Sequence, residues 1–219
     1  MIVTIDGPAG AGKSSAARRL AERLGFRFLD TGAMYRAVTL AGQRRGVDWN
    51  DPAALAAITE QLQLDLADNR ILMNGEDVTA AIRTLEITML TQFAADNQAV
   101  RSRLTDLQRA FAEGHNVVTE GRDQATVVFP GAECKIFLTA GEEERARRRF
   151  FDLQARGEEV DLEEVLRKQR LRDQGDVERK FGGLLKAEDS IEVSTDGLTP
   201  DQVVDRLEAV VRGRLQIMR

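Results

Sequence analysis

Apolar and polar positions follow two different periods along this chain. It opens on the apolar run Ile2-Val3-Thr4-Ile5, which ends at Asp6 and a glycine-rich loop and predicts a buried first strand. From Lys13 the period changes, because Ala17, Leu20, Ala21 and Leu24 recur at helical spacing. Phe26-Arg27-Phe28-Leu29 predicts a second strand, and the pattern from Gly32 to Arg45 another helix. Strands alternating with helices in this order predict an α/β fold around a doubly wound parallel sheet.

That rhythm is interrupted between about 64 and 78. After a helical pattern near 52–62, Leu64-Asp65-Leu66 and Ile71-Leu72-Met73 flank a turn-like Asp68-Asn69, and Asn74-Gly75 follows as a hairpin signal. A small antiparallel β insertion is expected here. Helical pattern returns at Thr84 and runs to Glu113 with a break near Asp96-Asn97. Asn116 to Thr119 and Cys134 to Leu138 are two further core strands. Glu142 to Arg156 is a highly charged helix, with Glu143/Arg147 and Glu144/Arg148 spaced for i,i+4 pairing. Asp161 with Glu164 starts the next helix, and Ile191-Glu192-Val193 is a short last strand. Thr199-Pro200-Asp201-Gln202 then supplies an N-cap, a proline at the first helical position and a capping-box partner. One domain over residues 1–219 is the economical organisation.

Composition narrows the classes. No apolar stretch approaches the roughly 20 residues of a membrane span, and the N-terminus lacks the basic and apolar regions of a secretory signal. A single cysteine, Cys134, and a single histidine, His115, exclude an internal disulfide framework and a His/Cys metal cluster. A cytoplasmic protein is expected. The net charge of −5 argues against bulk affinity for nucleic acid. Only five of the 31 basic residues are lysine, so the cationic side chains are overwhelmingly arginine, the residue suited to two-pronged phosphate recognition. No extra apolar stripe stands out, so a monomer is expected.

The candidate chemistry begins at Gly7-Pro8-Ala9-Gly10-Ala11-Gly12-Lys13-Ser14, which fits G-x-x-x-x-G-K-[ST] throughout. In such a loop, successive N–H groups converge on phosphate oxygens and the following helix adds the positive end of its dipole. Lys13 should reach the β- and γ-phosphates of ATP, Ser14 should ligate Mg²⁺, and Ser15 closes the cradle. Strand and helix stand on the correct sides of the loop. The pattern identifies a nucleotide site but not a reaction. No N-K-x-D element is present, which counts against a guanine-nucleotide switch.

At the end of the third strand, Glu120-Gly121-Arg122-Asp123 places charge at the carboxyl edge, where α/β sheets bind ligands. Arg36 lies a helical turn beyond Thr31-Gly32. Arg172, Asp176 and Arg179 are spaced i, i+4, i+7, which predicts one face of a helix. A solvated Arg-Asp-Arg ladder is the plainer reading of that spacing alone.

These residues resemble bacterial cytidylate (CMP) kinase of the type 1 family, a P-loop nucleoside monophosphate kinase. The resemblance covers nearly the whole chain. It runs through I-D-G-P-A-G-A-G-K-S at 5–14, L-D-T-G-A-M-Y-R at 29–36, N-G-E-D-V-T-A-A-I-R-T at 74–84 and V-R at 100–101. It continues with Q-R-A-F at 108–111, G-R-D at 121–123, T-V-V-F-P at 126–130, K-I-F-L at 135–138 and R-D-x-x-D-x-x-R at 172–179. It implies phosphoryl transfer from ATP·Mg²⁺ to CMP or dCMP, with an acceptor-binding insertion at about 37–84 and a helical lid at about 141–158. Arg36 and Arg122, with Thr31, resemble the clamps on the acceptor phosphate. Arg101, Asp123 and Arg179 resemble the readers of cytosine, and Arg172 and Asp176 the holders of ribose. Arg145, Arg148, Arg149 and Arg156 fall in the lid. Lys13, Arg122, Arg145 and Arg149 are therefore the expected catalytic set.

The chain departs from the family pattern in places. Glu120 stands where Asp is usual, Gln124-Ala125 where [IM]-G is usual, Gly183 in place of Pro, and Ser194 in place of Asp. Thr91 and Gln92 compete for the place of a cytosine-binding serine. Other acceptors, such as UMP or shikimate, and a non-catalytic nucleotide switch are the alternatives. His115, Cys134, Trp49 and Tyr35 are read as structural.

Overall fold

The computed structural model describes residues 1–67, 70–155 and 157–217. They form two compact units, Met1–Phe28 with His115–Arg219, and Leu29–Gly114.

The first unit is built on β1 (Ile2–Asp6), β6 (Val117–Gly121), β7 (Cys134–Thr139) and β8 (Ile191–Ser194). β1 lies parallel between β6 and β7, and β8 continues the parallel sheet beyond β7. β2 (Arg27–Asp30) completes the five-stranded order β2-β6-β1-β7-β8, with the Arg27 N–H donating to the Asn116 carbonyl at 2.9 Å. Val3, Ile5, Val118, Ile136 and Leu138 are buried because these strands are covered on both faces.

α1 (Lys13–Leu24) buries Ala16, Ala17, Leu20 and Ala21 in the same cluster as Val203, Leu207 and Val211 of α8 (Pro200–Ile217). The small residues of α1 let the two helices approach closely. The expected capping box of α8 forms in both directions: Thr199 N–H donates to Gln202 Oε1 at 2.9 Å, and Gln202 N–H to Thr199 Oγ1 at 3.3 Å. α6 (Glu142–Gln154) and α7 (Leu162–Glu178) share a satellite core of Ala146, Leu153 and Val165, with Phe150, Val160 and Leu166 packed against it.

The second unit opens with α2 (Thr31–Arg44), capped by Asp30, whose carboxylate accepts from Ala33 N–H at 2.8 Å. α3 (Pro52–Glu60) is capped by Asp51 and begins on proline. β3 (Leu64–Ala67), β4 (Arg70–Met73) and β5 (Glu76–Asp77) form the antiparallel insertion. Asn74 and Gly75 take φ of 52° and 83°, the left-handed pair that the tight β4–β5 turn requires. The expected Asp68-Asn69 turn lies outside the described residues. β5 was not expected, since two exposed acidic residues carry no strand pattern. A 3₁₀ turn (Ala81–Arg83) leads into α4 (Leu85–Asp96) and α5 (Gln98–Ala112). The expected break falls at Asn97, which caps α5 through the Ala99 and Val100 N–H groups and donates to the Pro52 carbonyl at 2.8 Å.

Candidate nucleotide-binding site

The phosphate loop hangs between β1 and α1. Gly7 is dictated by sterics, because a Cβ there would stand 1.9 Å from the Leu138 carbonyl oxygen. α1 has Gly12 as its N-cap and so no side-chain cap, which leaves its first N–H groups to serve an anion. Lys13 is buried and its Nζ donates to the Pro8 carbonyl at 2.8 Å, while Ser15 Oγ donates to Gly12 O at 3.0 Å. Burial pushes the Lys13 amine down to about 7, with Arg122 and Arg172 adding repulsion against the pull of Glu120 and Asp6.

Ser14 Oγ donates to Glu120 Oε1 at 2.9 Å. Glu120 ends up buried because it sits near the carboxyl end of β6, an interior strand between β2 and β1. The pair supplies two hard oxygen donors beside the phosphate loop, a set that fits Mg²⁺, which binds through one or two protein oxygens plus substrate phosphates. Among the described residues no cluster of three or more His, Cys, Asp or Glu side chains could hold a metal alone.

Beyond Glu120 the chain turns through Arg122 and Asp123 into a single π-helical turn, Gln124–Val128. Arg122 Nε donates to Asp176 Oδ2 at 2.7 Å, and Arg179 Nη2 to Asp176 Oδ1 at 3.0 Å. Burial alone would raise the Asp176 carboxyl, but Arg122, Arg179 and Arg172 outweigh it and hold the group below its usual range. Asp123 is buried nearby in the chain. The plainer reading of an exposed ladder on α7 fits only Arg172, which is exposed, since Asp176 is buried and Arg179 half-buried. Nor do the three residues share one helical face: α7 ends at Glu178, and Arg179 is already in extended backbone, reaching back to Asp176. The Leu184 N–H, donating to the Asp176 carbonyl at 2.7 Å, folds the following chain over that helix end next to Gly183.

The arginines expected in a lid divide. Arg145 is buried and donates to the carbonyls of Ala140 at 3.0 Å and Ala9 at 2.9 Å, and to Asp173 at 2.7 Å. Arg148 binds Glu144 and both Thr195 oxygens. Arg149 is half-buried and makes no ion pair or hydrogen bond among the described residues. Arg156 lies outside the described residues. Arg147 pairs with Glu144 at 3.3 Å rather than with the expected Glu143.

In the second unit, Thr31 is buried at the start of α2. Arg36 Nη2 stands 3.5 Å from Asp30 Oδ1, and its Nε is buried without a hydrogen-bond partner. Arg83 approaches the other Asp30 oxygen at 3.7 Å. Arg83 was missed, although it lies within the 74–84 stretch; only the 3₁₀ turn brings it to Asp30. Arg101 is buried, donates to the Ala95 carbonyl at 3.1 Å, and stands over the Tyr35 ring at 5.5 Å. Thr91 Oγ1 donates to the Ile87 carbonyl at 2.6 Å. A cavity of about 430 Å³ in this unit, lined partly by Leu64, Leu72, Arg103 and Leu107, contains none of these residues.

Cys134 is buried in β7, which pushes its thiol up to about 11, and His115 is exposed. Trp49 packs on Phe93 with ring centroids 5.5 Å apart. Ser194 Oγ donates to Asp196, which accepts the Gly141 N–H. No described helix is long and apolar enough to cross a membrane.

The cytidylate kinase family model matches residues 3–212. The chain belongs to the cytidylate kinase family. It is 50% identical to the cytidylate kinase of Rhodopirellula baltica over 99% of this chain and 94% of that protein. It is 46% identical to the family member from Citrifermentans bemidjiense over 98% and 94% of the two chains. A bifunctional pantoate ligase/cytidylate kinase from Synechococcus elongatus is 48% identical over 97% of this chain but only 42% of its own length. Among solved structures, shikimate kinase from Bacteroides thetaiotaomicron superposes with a TM-score of 0.52 at 13% identity, covering 97% and 98% of the chains. That likeness confirms the P-loop kinase fold which family membership already carries.

Proposed function

We propose that this protein transfers the γ-phosphoryl group of ATP to CMP or dCMP, giving CDP or dCDP and ADP. The observation that carries this reading is the buried Asp176, bound by Arg122 and Arg179, with Arg122 and Asp123 directly following the strand whose Glu120 binds Ser14 of the phosphate loop.

Lys13 and the loop N–H groups would hold the ATP phosphates, and Ser14 with Glu120 would hold Mg²⁺, which neutralises phosphate charge when bound. Arg36 and Arg122, with Thr31, would clamp the acceptor phosphate, and we add Arg83 because it shares Asp30 with Arg36. Arg101, Asp123 and Arg179 would read the base. A buried carboxylate accepts from the exocyclic amine of cytosine, which uracil lacks, so Asp123 is the natural discriminator. Arg172 and Asp176 would hold the ribose.

Phosphoryl transfer asks mainly for positioning and charge neutralisation, so neither His115 nor Cys134 is given a role. Of the two lid arginines expected at the transferring group, Arg149 suits the task better. Arg145 already commits its Nε and Nη1 to Ala140, Ala9 and Asp173. The stretch 37–84 would serve as the acceptor-binding insertion and 141–158 as the lid. We place the enzyme in the cytoplasm as a monomer, acting on nucleotides and not on nucleic acid or a membrane.

A coupled assay of ADP formation from ATP·Mg²⁺ tests the reading, with CMP, dCMP, UMP, AMP and shikimate in parallel. Turnover confined to CMP and dCMP supports it. Preference for any other acceptor, or none with all five, overturns it.

A further inference from the structure

Asp6 is the last residue of β1, one position before the phosphate loop, and it is only 1% exposed. Its Oδ1 accepts the Gln124 N–H at 3.0 Å and its Oδ2 the Ala125 N–H at 2.7 Å. Both amides open the π-helical turn that follows Arg122 and Asp123. The same turn is pinned a second time from β6, where the buried Thr119 hydroxyl donates to Gln124 Oε1 at 2.8 Å. Gln124 and Ala125 are thus both held by specific hydrogen bonds.

Each of the two N–H donors has its own carboxylate oxygen here, whereas an amide at this place would offer one acceptor oxygen and an NH₂ donor. We propose that Asp6 is a positioning residue, fastening the 121–125 turn to the strand that carries the phosphate loop and so fixing where Arg122 and Asp123 stand. The inference rests on the acceptor-binding role given above to those two residues. One carboxylate then ties the acceptor-reading turn to the ATP cradle. An error of about 1 Å in such a tie costs on the order of 100-fold in rate.

The anchor is held against an energetic cost. Burial raises the Asp6 carboxyl to about 6, and the neighbouring Asp123 charge adds to this, while the two N–H bonds and Lys13 only partly compensate. Asp6→Asn removes a buried charge, so it should leave the thermal midpoint at pH 7 unchanged or raised. It also turns an NH₂ donor toward one of the two N–H groups. We expect kcat/KM for CMP to fall about 10–100-fold, the CMP-over-UMP ratio to fall with it, and the KM for ATP to stay within about threefold of wild type. A structural defect would instead lower the midpoint and weaken both substrates together.

Amide exchange read by NMR tests the anchor without turnover. The Gln124 and Ala125 amides should be strongly protected in the wild type and exchange at least about 100-fold faster in Asp6→Asn, as expected when a buried N–H loses its acceptor. Should Asp6→Asn fail to fold, Thr119→Val removes the second pin, and a CMP-selective loss of about threefold is the expected direction. The proposal is overturned if Asp6→Asn keeps its CMP parameters and base selectivity within twofold, if the two amides remain protected, or if Thr119→Val, where it stands in, weakens both substrates alike. If the wild type instead ignores CMP while the amides lose protection in the variant, the anchor stands and the proposed function fails.

Discussion

In the first unit the charged groups around the phosphate loop answer one another: Ser14 binds Glu120, Arg122 and Arg179 share Asp176, and Arg145 holds Asp173. In the second unit a single carboxylate, Asp30, stands 3.5 Å from Arg36 and 3.7 Å from Arg83, and it also caps α2 through Ala33 N–H. One negative charge is spread over two guanidinium groups at distances too long for strong hydrogen bonds. The first region's charges are paired within the protein, while the second sets two cations against one carboxylate. Pre-pairing fixes geometry. Unspent positive charge suits the capture of a phosphate dianion.

The contrast breaks hardest at Lys13. Lys13→Met should lower kcat by about 10³-fold, because a cation poised at the transferring phosphate acts mainly in the transition state. It should also stabilise the free protein near pH 7 by about 1–3 kcal/mol, since it deletes a buried amine whose pKa is held far below that of the unfolded chain. The sign follows from the proton count. Between about 7 and 10.5 the unfolded lysine binds a proton that the folded one has lost, so Lys13 lowers stability most below pH 7 and least above 10.5. Melting curves at pH 6, 7 and 9 for both proteins check this, with the gap closing as pH rises.

Asp176→Asn tests the other half of the first region. It strands Arg122 and Arg179 in a largely buried place and should cost about 2–3 kcal/mol at pH 7, read by urea denaturation. The folded carboxyl of Asp176 lies below its unfolded value, so the loss should shrink as pH falls through the carboxylate range. Asp6→Asn, also a buried carboxylate replaced by its amide, should show no such loss.

In the second unit, Arg36→Gln should raise the KM for CMP about 30-fold, the scale of one lost charge-assisted phosphate contact. Arg83→Gln should raise it only about threefold, because the side chain is half exposed and solvent screens its charge. Equal effects would mean that the two arginines act as one clamp.

How much of this was legible beforehand follows the range of the interactions. The phosphate loop, the α8 capping box and the break at Asn97 are written in residues a few positions apart, and the structure forms each of them. The residues proposed to read cytosine follow from family resemblance, not from spacing. Where spacing was used alone it misled, since the i, i+4, i+7 pattern assumes a helix that stops one residue short of Arg179. The tie of Asp6 to 124–125 spans 118 and 119 positions, and the Arg145–Ala9 bond spans 136. No local pattern encodes such contacts. Arg83 was hidden for the same reason, its role depending on a short turn that returns it to Asp30.

The smallest predicted effect joins the loop to its ligand. Lys13 sits near 7 because burial, Arg122 and Arg172 all disfavour its charge. A triphosphate placed against it supplies the missing negative charge and should lift the amine back toward its ordinary range. At pH 8 the free protein would hold this lysine mostly neutral and the ATP complex would hold it charged, so binding should take up somewhat less than one proton. Calorimetric titration with ATP in two buffers of different ionisation enthalpy measures that number, and Lys13→Met should abolish it. Uptake that persists in the variant would assign the proton to another group and remove the argument that the first region stores its binding capacity in a neutral lysine. Uptake that vanishes would show that even the pre-paired region keeps one charge in reserve until its phosphate arrives.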